Sequence, residues 1–334
     1  GYARPAMATS EHFDLVVIGS GPAGEKGAVQ AAYFGKRVAL VEKAPAVGGA
    51  CVHTGTLPSK TLREAALYVT GFQKRQLYGM NLELDREASV RQLMGRLRAV
   101  TEQQVAQIGT NLDRHHVRVH HGQARFLNAH ELVVERDGAE AARLTGDVIL
   151  IAVGSSPHRP AGVPFTDPDV EDSDTILDLD RIPSSLAVVG GGVIGCEYAS
   201  MFAALGTRIT IIEGRDALMG FLDREMSTAL EHALERAGHE VLLGDAVTGV
   251  RRIPGGPLEI TLKSGRLLEV DKILYSAGRA GNTRGLGLEA ANVEQDARGR
   301  IPVNEHFQTS QSHIYAAGDV VGAPALASVS MEQG

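Results

Sequence analysis

One motif occurs twice in this chain of 334 residues, and the duplication restricts the fold more than any other feature. Residues 13 to 42 read as an apolar strand (FDLVVIG), a glycine turn (SGPAG), a small-residue helix ending near Gly35, and a second strand (RVALVE). Residues 186 to 213 repeat the plan as LAVVG, GGVIG, the helix CEYASMFAALG and TRITIIE. A glycine turn of this kind sits at the carboxyl end of a first parallel strand, so two copies imply two doubly wound sheets, each with a nucleotide site.

The spacing within each copy assigns the roles. In the first, Gly19 makes the turn, Gly21 lets the backbone approach a pyrophosphate, and Gly24 permits close helix packing. The helix amino terminus that follows offers N–H donors and partial positive charge to the phosphates. Glu42 closes the next strand, placed to take the hydroxyls of an adenosine ribose. In the second, Gly190, Gly192 and Gly195 repeat the spacing and Glu213 ends the strand. A carboxylate there favours a free 2'-hydroxyl over a 2'-phosphate, whereas Arg215 either contacts a 2'-phosphate or is an ordinary solvated arginine.

Composition excludes other classes. Aromatic residues make up 4% with no Trp, which disfavours base-stacking platforms, and a net charge of -7 without a basic run offers nothing to a nucleic-acid backbone. Two cysteines, Cys51 and Cys196, are too few for a disulfide scaffold, and no apolar run is long enough to cross a bilayer. A soluble protein of the cytoplasm is the expectation, and the opening GYARPAMATS reads as a leader without a role.

Between the copies, residues 59 to 116 read as largely helical with breaks near YGMN and NLELD, followed by short strands with a turn at Asn128 to His130. The prolines at 157, 160 and 164 place a crossover near 155. After the second copy, EVLLG to SAGR reads as a small meander, and SHIYAAGDV as a last strand that must join some sheet.

The segment GGACVHTGTLPSK carries the remaining chemistry. With two dinucleotide motifs around it and AAGD near the end, the chain resembles the flavoprotein pyridine nucleotide-disulfide oxidoreductases. The resemblance implies an α/β fold of two nested Rossmann-like domains of the FAD/NAD(P)-binding type: FAD-binding over 12–155, NAD(P)-binding over 156–275, and a returning FAD-binding part over 276–334. It also implies that the C-terminal interface domain through which the full-length parent forms a homodimer is absent. FAD would occupy the first site, and NAD and NADP, as substrates, the second.

The family pattern after the first site is a C-x-x-x-x-C redox pair followed by P-x-K. Here Cys51 is followed by Thr56, Pro58 and Lys60, so the second sulfur is replaced by a hydroxyl that cannot form a disulfide. That departure resembles the transhydrogenase branch of the family, which implies ping-pong hydride transfer between NADPH and NAD through FAD. By the same resemblance Lys60 is the lysine near the flavin and Glu197 its carboxylate partner, together the catalytic pair, and Asp319 bonds the ribityl chain. Lys43, Gly49, Cys51, Thr56 and Gly278 complete the expected cofactor contacts, while Arg279 and Asn282 shape an interdomain connection. The competing readings are a dihydrolipoamide- or mercuric-type reductase homologue without its disulfide, and a non-catalytic FAD/NAD-binding fragment. No metal is expected: His53 lacks partners at zinc-like spacing, and His115, His116, His120 and His121 read as surface residues.

Overall fold

The computed structural model describes residues 10–74 and 86–334. The N-terminal GYARPAMAT and the breaks near YGMN and NLELD lie outside the described residues. The chain divides into two compact units, one of residues 1–56, 101–156 and 279–334, the other of 57–100 and 157–278.

The first unit begins with strand β1 (Glu11–Ile18), helix α1 (Pro22–Tyr33) and strand β2 (Val38–Glu42). All five residues of β2 are buried, as expected of a strand covered on both faces. A short helix α2 (Gly49–His53) precedes helix α3 (Thr56–Lys74), and the long helix α4 (Arg86–Arg114) leads into strand β3 (Arg118–His121). Strands β4 (Gln123–Asn128) and β5 (Glu131–Arg136) form a hairpin, and strand β6 (Ala139–Ile151) follows.

The sheet order is β3-β2-β1-β6-β5-β4. Strand β6 serves three partners, one of them the last strand of the chain. Its first half runs antiparallel to β5 and its second half parallel to β1, with Ile18 opposite Ile151. The first half was not legible as a strand, because Ala139 to Ala141 are exposed and interrupt any apolar alternation. Phe126, Leu132, Leu144 and Ile149 form the centre of this unit's core.

A ribbon of strands β7 (Ser155–Pro157) and β16 (Arg279–Gly281) is separate from the main sheets. The second unit's five-stranded sheet has order β11-β10-β9-β15-β8 and is wholly parallel. It comprises strand β8 (Val170–Asp172), strand β9 (Ser185–Val189), strand β10 (Arg208–Glu213), strand β11 (Glu240–Leu243) and strand β15 (Lys272–Tyr275). Helix α5 (Val193–Ala204) joins β9 to β10, and helix α6 (Arg224–Arg236) joins β10 to β11.

Only strands β12 (Val247–Arg252), β13 (Leu258–Leu262) and β14 (Leu267–Val270) form the antiparallel meander. The expected meander was longer: EVLL at its start and KILY at its end belong to the parallel sheet instead. Short apolar runs do not disclose which sheet they join. The last strand, β17 (Ile314–Ala316), returns to the first unit and pairs parallel with β6. Helix α7 (Ala327–Gln333) follows, and Gln333 accepts the Gly318 N–H through its side-chain oxygen.

Candidate functional site: two nucleotide cradles

The two glycine turns are built alike, and in each the three glycines answer different demands. Gly19 has φ +101° and Gly190 φ +106°, a region that L side chains rarely adopt, so each makes its turn as only glycine readily does. A Cβ on Gly24 would collide with the Gly19 carbonyl, and one on Gly195 with the Gly190 carbonyl, so the third glycine is required by helix packing. The middle glycines differ. A Cβ on Gly21 or Gly192 would meet nothing within 4 Å, and their φ values of -65° and -80° suit any residue. The fold makes no demand for glycine there, and the missing Cβ leaves room for a pyrophosphate to approach the backbone.

What lies beside each middle glycine is a helix amino terminus without a side-chain cap, α1 after Gly21 and α5 after Gly192. Uncapped N–H groups and the helix dipole favour an anion there, and a missing Cβ lets a phosphate approach. Gly49 crowds the first turn from the other side, since its Cβ would come within 2.8 Å of the Gly21 Cα.

Each cradle closes on a buried carboxylate. Glu42 accepts N–H bonds from Ser20 at 2.9 Å and Ala44 at 2.7 Å, and Glu213 from Gly191 at 2.7 Å and Arg215 at 2.9 Å. The backbone frames are therefore equivalent, while the side-chain donors are not. Glu42 takes the Ser20 hydroxyl at 2.5 Å; Glu213 takes the Arg215 Nε at 2.9 Å and Nη2 at 3.1 Å. Burial alone would raise the Glu213 pKa, but the Arg215 side chain and the two backbone donors outweigh it and hold the carboxyl at about 2.

Beside the first cradle, the Cys51 thiol is held above the usual thiol range. Burial contributes most, a hydrogen bond with Thr56 opposes it, and the charges of Asp319 and Glu25 reinforce it. The thiol thus meets a hydroxyl at the position of the second sulfur of the redox pair, and both cysteines are free. His53 is directed elsewhere, its Nε2 2.9 Å from the Val47 carbonyl oxygen.

Asp319 stands at the end of a relay within the first unit: Arg279 Nε donates to Ser155 Oγ at 2.8 Å, and Ser155 Oγ donates to an Asp319 carboxylate oxygen at 3.0 Å. Arg279 also clamps the Ser155 carbonyl through Nη2 at 2.7 Å. Ser20 and Ser155 were missed by sequence reasoning. Ser20 carried a weak signal as the residue between two motif glycines, but Ser155 carried none, because its partners are more than a hundred residues away.

In the second unit, Lys60 of α3 and Glu197 of α5 form the expected ion pair at 2.6 Å, with side chains 54% and 26% exposed. Gly278 has φ +110° and accepts the His158 N–H through its carbonyl. Lys43 lies beside Glu42 on the exposed side of the strand end. Among the described residues, no group of three or more His, Cys, Asp or Glu side chains is placed to hold a metal ion. His120 departs from the expected surface position: its Nε2 is buried without a hydrogen-bond partner among the described residues, its ring packs edge-on to Phe13, and burial lowers its pKa. Among the described residues, no helix is long and apolar enough to cross a membrane.

Two glycine cradles of this construction, each ending on a buried carboxylate, define a protein that binds two dinucleotides. The sequence matches the family described as "Pyridine nucleotide-disulphide oxidoreductase" over residues 13–334, and the chain belongs to that family. It is 47% identical over 323 residues to a soluble pyridine nucleotide transhydrogenase from Mycobacterium tuberculosis (strain ATCC 25177 / H37Ra), covering 96% of this chain and 69% of the relative. A protein of the same name from Chromohalobacter salexigens is 42% identical, with coverage of 97% and 69%. Among solved structures, LpdA from Mycobacterium tuberculosis superposes with a TM-score of 0.87 at 27% identity, covering 97% of this chain and 70% of that one. The HOCl-induced flavoprotein disulfide reductase RclA from Escherichia coli, in its Cu(II) complex, gives 0.86 at 29% identity, with coverage of 97% and 69%.

Proposed function

We propose that this chain is a flavin-dependent oxidoreductase that transfers hydride between NADPH and NAD. The observation that carries this reading is the Cys51–Thr56 pair: one protonated thiol against one hydroxyl leaves no dithiol to receive electrons and no disulfide to accept them. The names of the relatives at 42–47% identity support the same activity.

The first cradle suits FAD through Gly19, Gly21, Gly24, Glu42 and Lys43, with Gly49, Cys51 and Thr56 from the following segment and Asp319 from the returning one. The second suits a nicotinamide dinucleotide through Gly190, Gly192, Gly195, Glu213 and Gly278. When bound, FAD supplies a centre that takes hydride from one nicotinamide and gives it to another. Lys60 supplies a fixed positive charge, and Glu197 orients its ammonium at 2.6 Å. Arg279 and Ser155 hold the Asp319 carboxylate so that its remaining oxygen faces are available to a hydroxylated chain.

With one cradle for nicotinamide dinucleotides among the described residues, donor and acceptor use it in turn, which gives ping-pong kinetics. A homodimeric assembly is part of the proposal by family resemblance, and a cytoplasmic location is supported by two unpaired cysteines. Steady-state transfer from NADPH to thio-NAD tests the reading. Parallel double-reciprocal lines and no turnover of lipoamide are expected; turnover of lipoamide, or none of thio-NAD, would overturn it, and intersecting lines would remove the ping-pong order.

A further inference from the structure

We propose that the Arg215 guanidinium is a displaceable cap on Glu213, through which one cradle serves both nicotinamide nucleotides: it stays on the carboxylate to receive a 2'-phosphate and leaves it for a free 2'-hydroxyl. This rests on the reading of the second glycine turn as a nicotinamide dinucleotide cradle.

The argument begins with acceptor capacity. An ionised carboxylate offers about four lone-pair positions. At Glu213 all are taken, Oε1 by the Arg215 N–H and Nε and Oε2 by the Gly191 N–H and Arg215 Nη2. A ribose hydroxyl therefore finds no acceptor until the guanidinium moves. At Glu42 the Ser20 N–H and hydroxyl share Oε2 and the Ala44 N–H takes Oε1, so one position has no protein donor among the described residues. The first cradle is ready for a resident ribose, and the second is conditional.

The cap is built to move. The Arg215 side chain is 59% exposed while that of Glu213 is 8% exposed, so water replaces the guanidinium's partners when it swings out. The backbone bonds from Gly191 and Arg215 stay, and keep the carboxylate aimed. In the capped state, Nε and one N–H of Nη2 are used on Glu213, leaving the others without a protein acceptor among the described residues. Those donors form a fork for a phosphate, and the cation lies between the two anions and offsets their repulsion. Asp216, the nearby acid of the same loop, is occupied by Arg224 at 3.1 Å.

The test uses redox-silent probes, 2',5'-ADP and ADP, in calorimetric titrations of the unaltered protein and of Arg215→Ala and Arg215→Lys, with thermal melts to confirm folding. Arg215→Ala is expected to lose about tenfold or more in affinity for 2',5'-ADP, the worth of a charge-assisted contact. Its affinity for ADP should hold or rise. Arg215→Lys, a point charge without the fork, should fall between. An unmoved ratio of the two affinities in Arg215→Ala would overturn the proposal while leaving the cradle intact. Failure of the unaltered protein to bind either probe would remove the cradle reading, and the proposal with it.

Discussion

Gly21 and Gly192 separate what the fold requires from what a ligand requires. Since a Cβ at Gly21 meets nothing and φ is -65°, Gly21→Ala should leave thermal stability unchanged or raise it by up to about 1 kcal/mol, as a compatible Gly→Ala change restricts the unfolded chain. Its flavin content after purification should fall sharply. Gly24→Ala, in contrast, should lower stability itself, since its Cβ overlaps the Gly19 carbonyl. Equal melting curves for the two variants would contradict this division of roles. Cys51 gives a second expectation at this scale: with its pKa raised by burial and neighbouring acids, alkylation by iodoacetamide should be slow at pH 7.5 and accelerate above pH 9. Rapid labelling at neutral pH would show a thiolate and reopen dithiol chemistry. Glu213 gives a third. Its folded pKa lies below the unfolded value, so its contribution to stability is fully present above about pH 4.5 and is lost as pH falls toward 2. The melting-temperature gap between the unaltered protein and Arg215→Ala should therefore narrow as pH is lowered from 7 to 3, and a gap that widens would contradict the pairing.

At the scale of elements, strand β15 begins with a charge inside the second unit. Lys272 is 3% exposed, and its Nζ reaches Asp169 at 3.1 Å, Glu171 at 3.5 Å and the Pro168 carbonyl at 3.0 Å. Asp169 also holds Arg181 at 2.6 Å and Arg252 at 2.8 Å. The Asp169 carboxylate is shared by three cations. Asp169→Ala should cost about 3 kcal/mol by leaving a buried ammonium short of a partner, whereas Lys272→Met, which leaves Asp169 two arginines, should cost less. Urea denaturation of both variants measures the order, and a larger loss in Lys272→Met would reverse it. Elements differed in how legible they were. The strand–turn–helix–strand units could be read because glycine spacing and apolar runs are local, down to the helix ends near Gly35 and Gly206. The first half of β6 and the affiliation of β11 and β15 could not, because a strand's partners are chosen by tertiary pairing.

For the whole molecule, two dinucleotide cradles could be read from the sequence, and the resemblance implied FAD-binding parts over 12–155 and 276–334. Residues 1–56, 101–156 and 279–334 share one compact unit, whereas 57–100 depart from that reading and belong with the other, through contacts that no local pattern encodes. The Asp319 relay shows the same limit: its three residues come from two distant segments and none announces the others, although A-x-G-D marked Asp319 itself. The lysine–carboxylate pair was legible only through family resemblance, since Lys60 and Glu197 are 137 positions apart. The central claim is that hydride passes between nicotinamides without a dithiol. The most direct measurement is anaerobic spectrophotometry of the flavin-loaded protein, following the band near about 450 nm on addition of NADPH and then of NAD. The expected result is loss of the band with NADPH and its full return with NAD, without any thiol or disulfide reagent. A band that NADPH never bleaches, or one that NAD cannot restore, would contradict the claim.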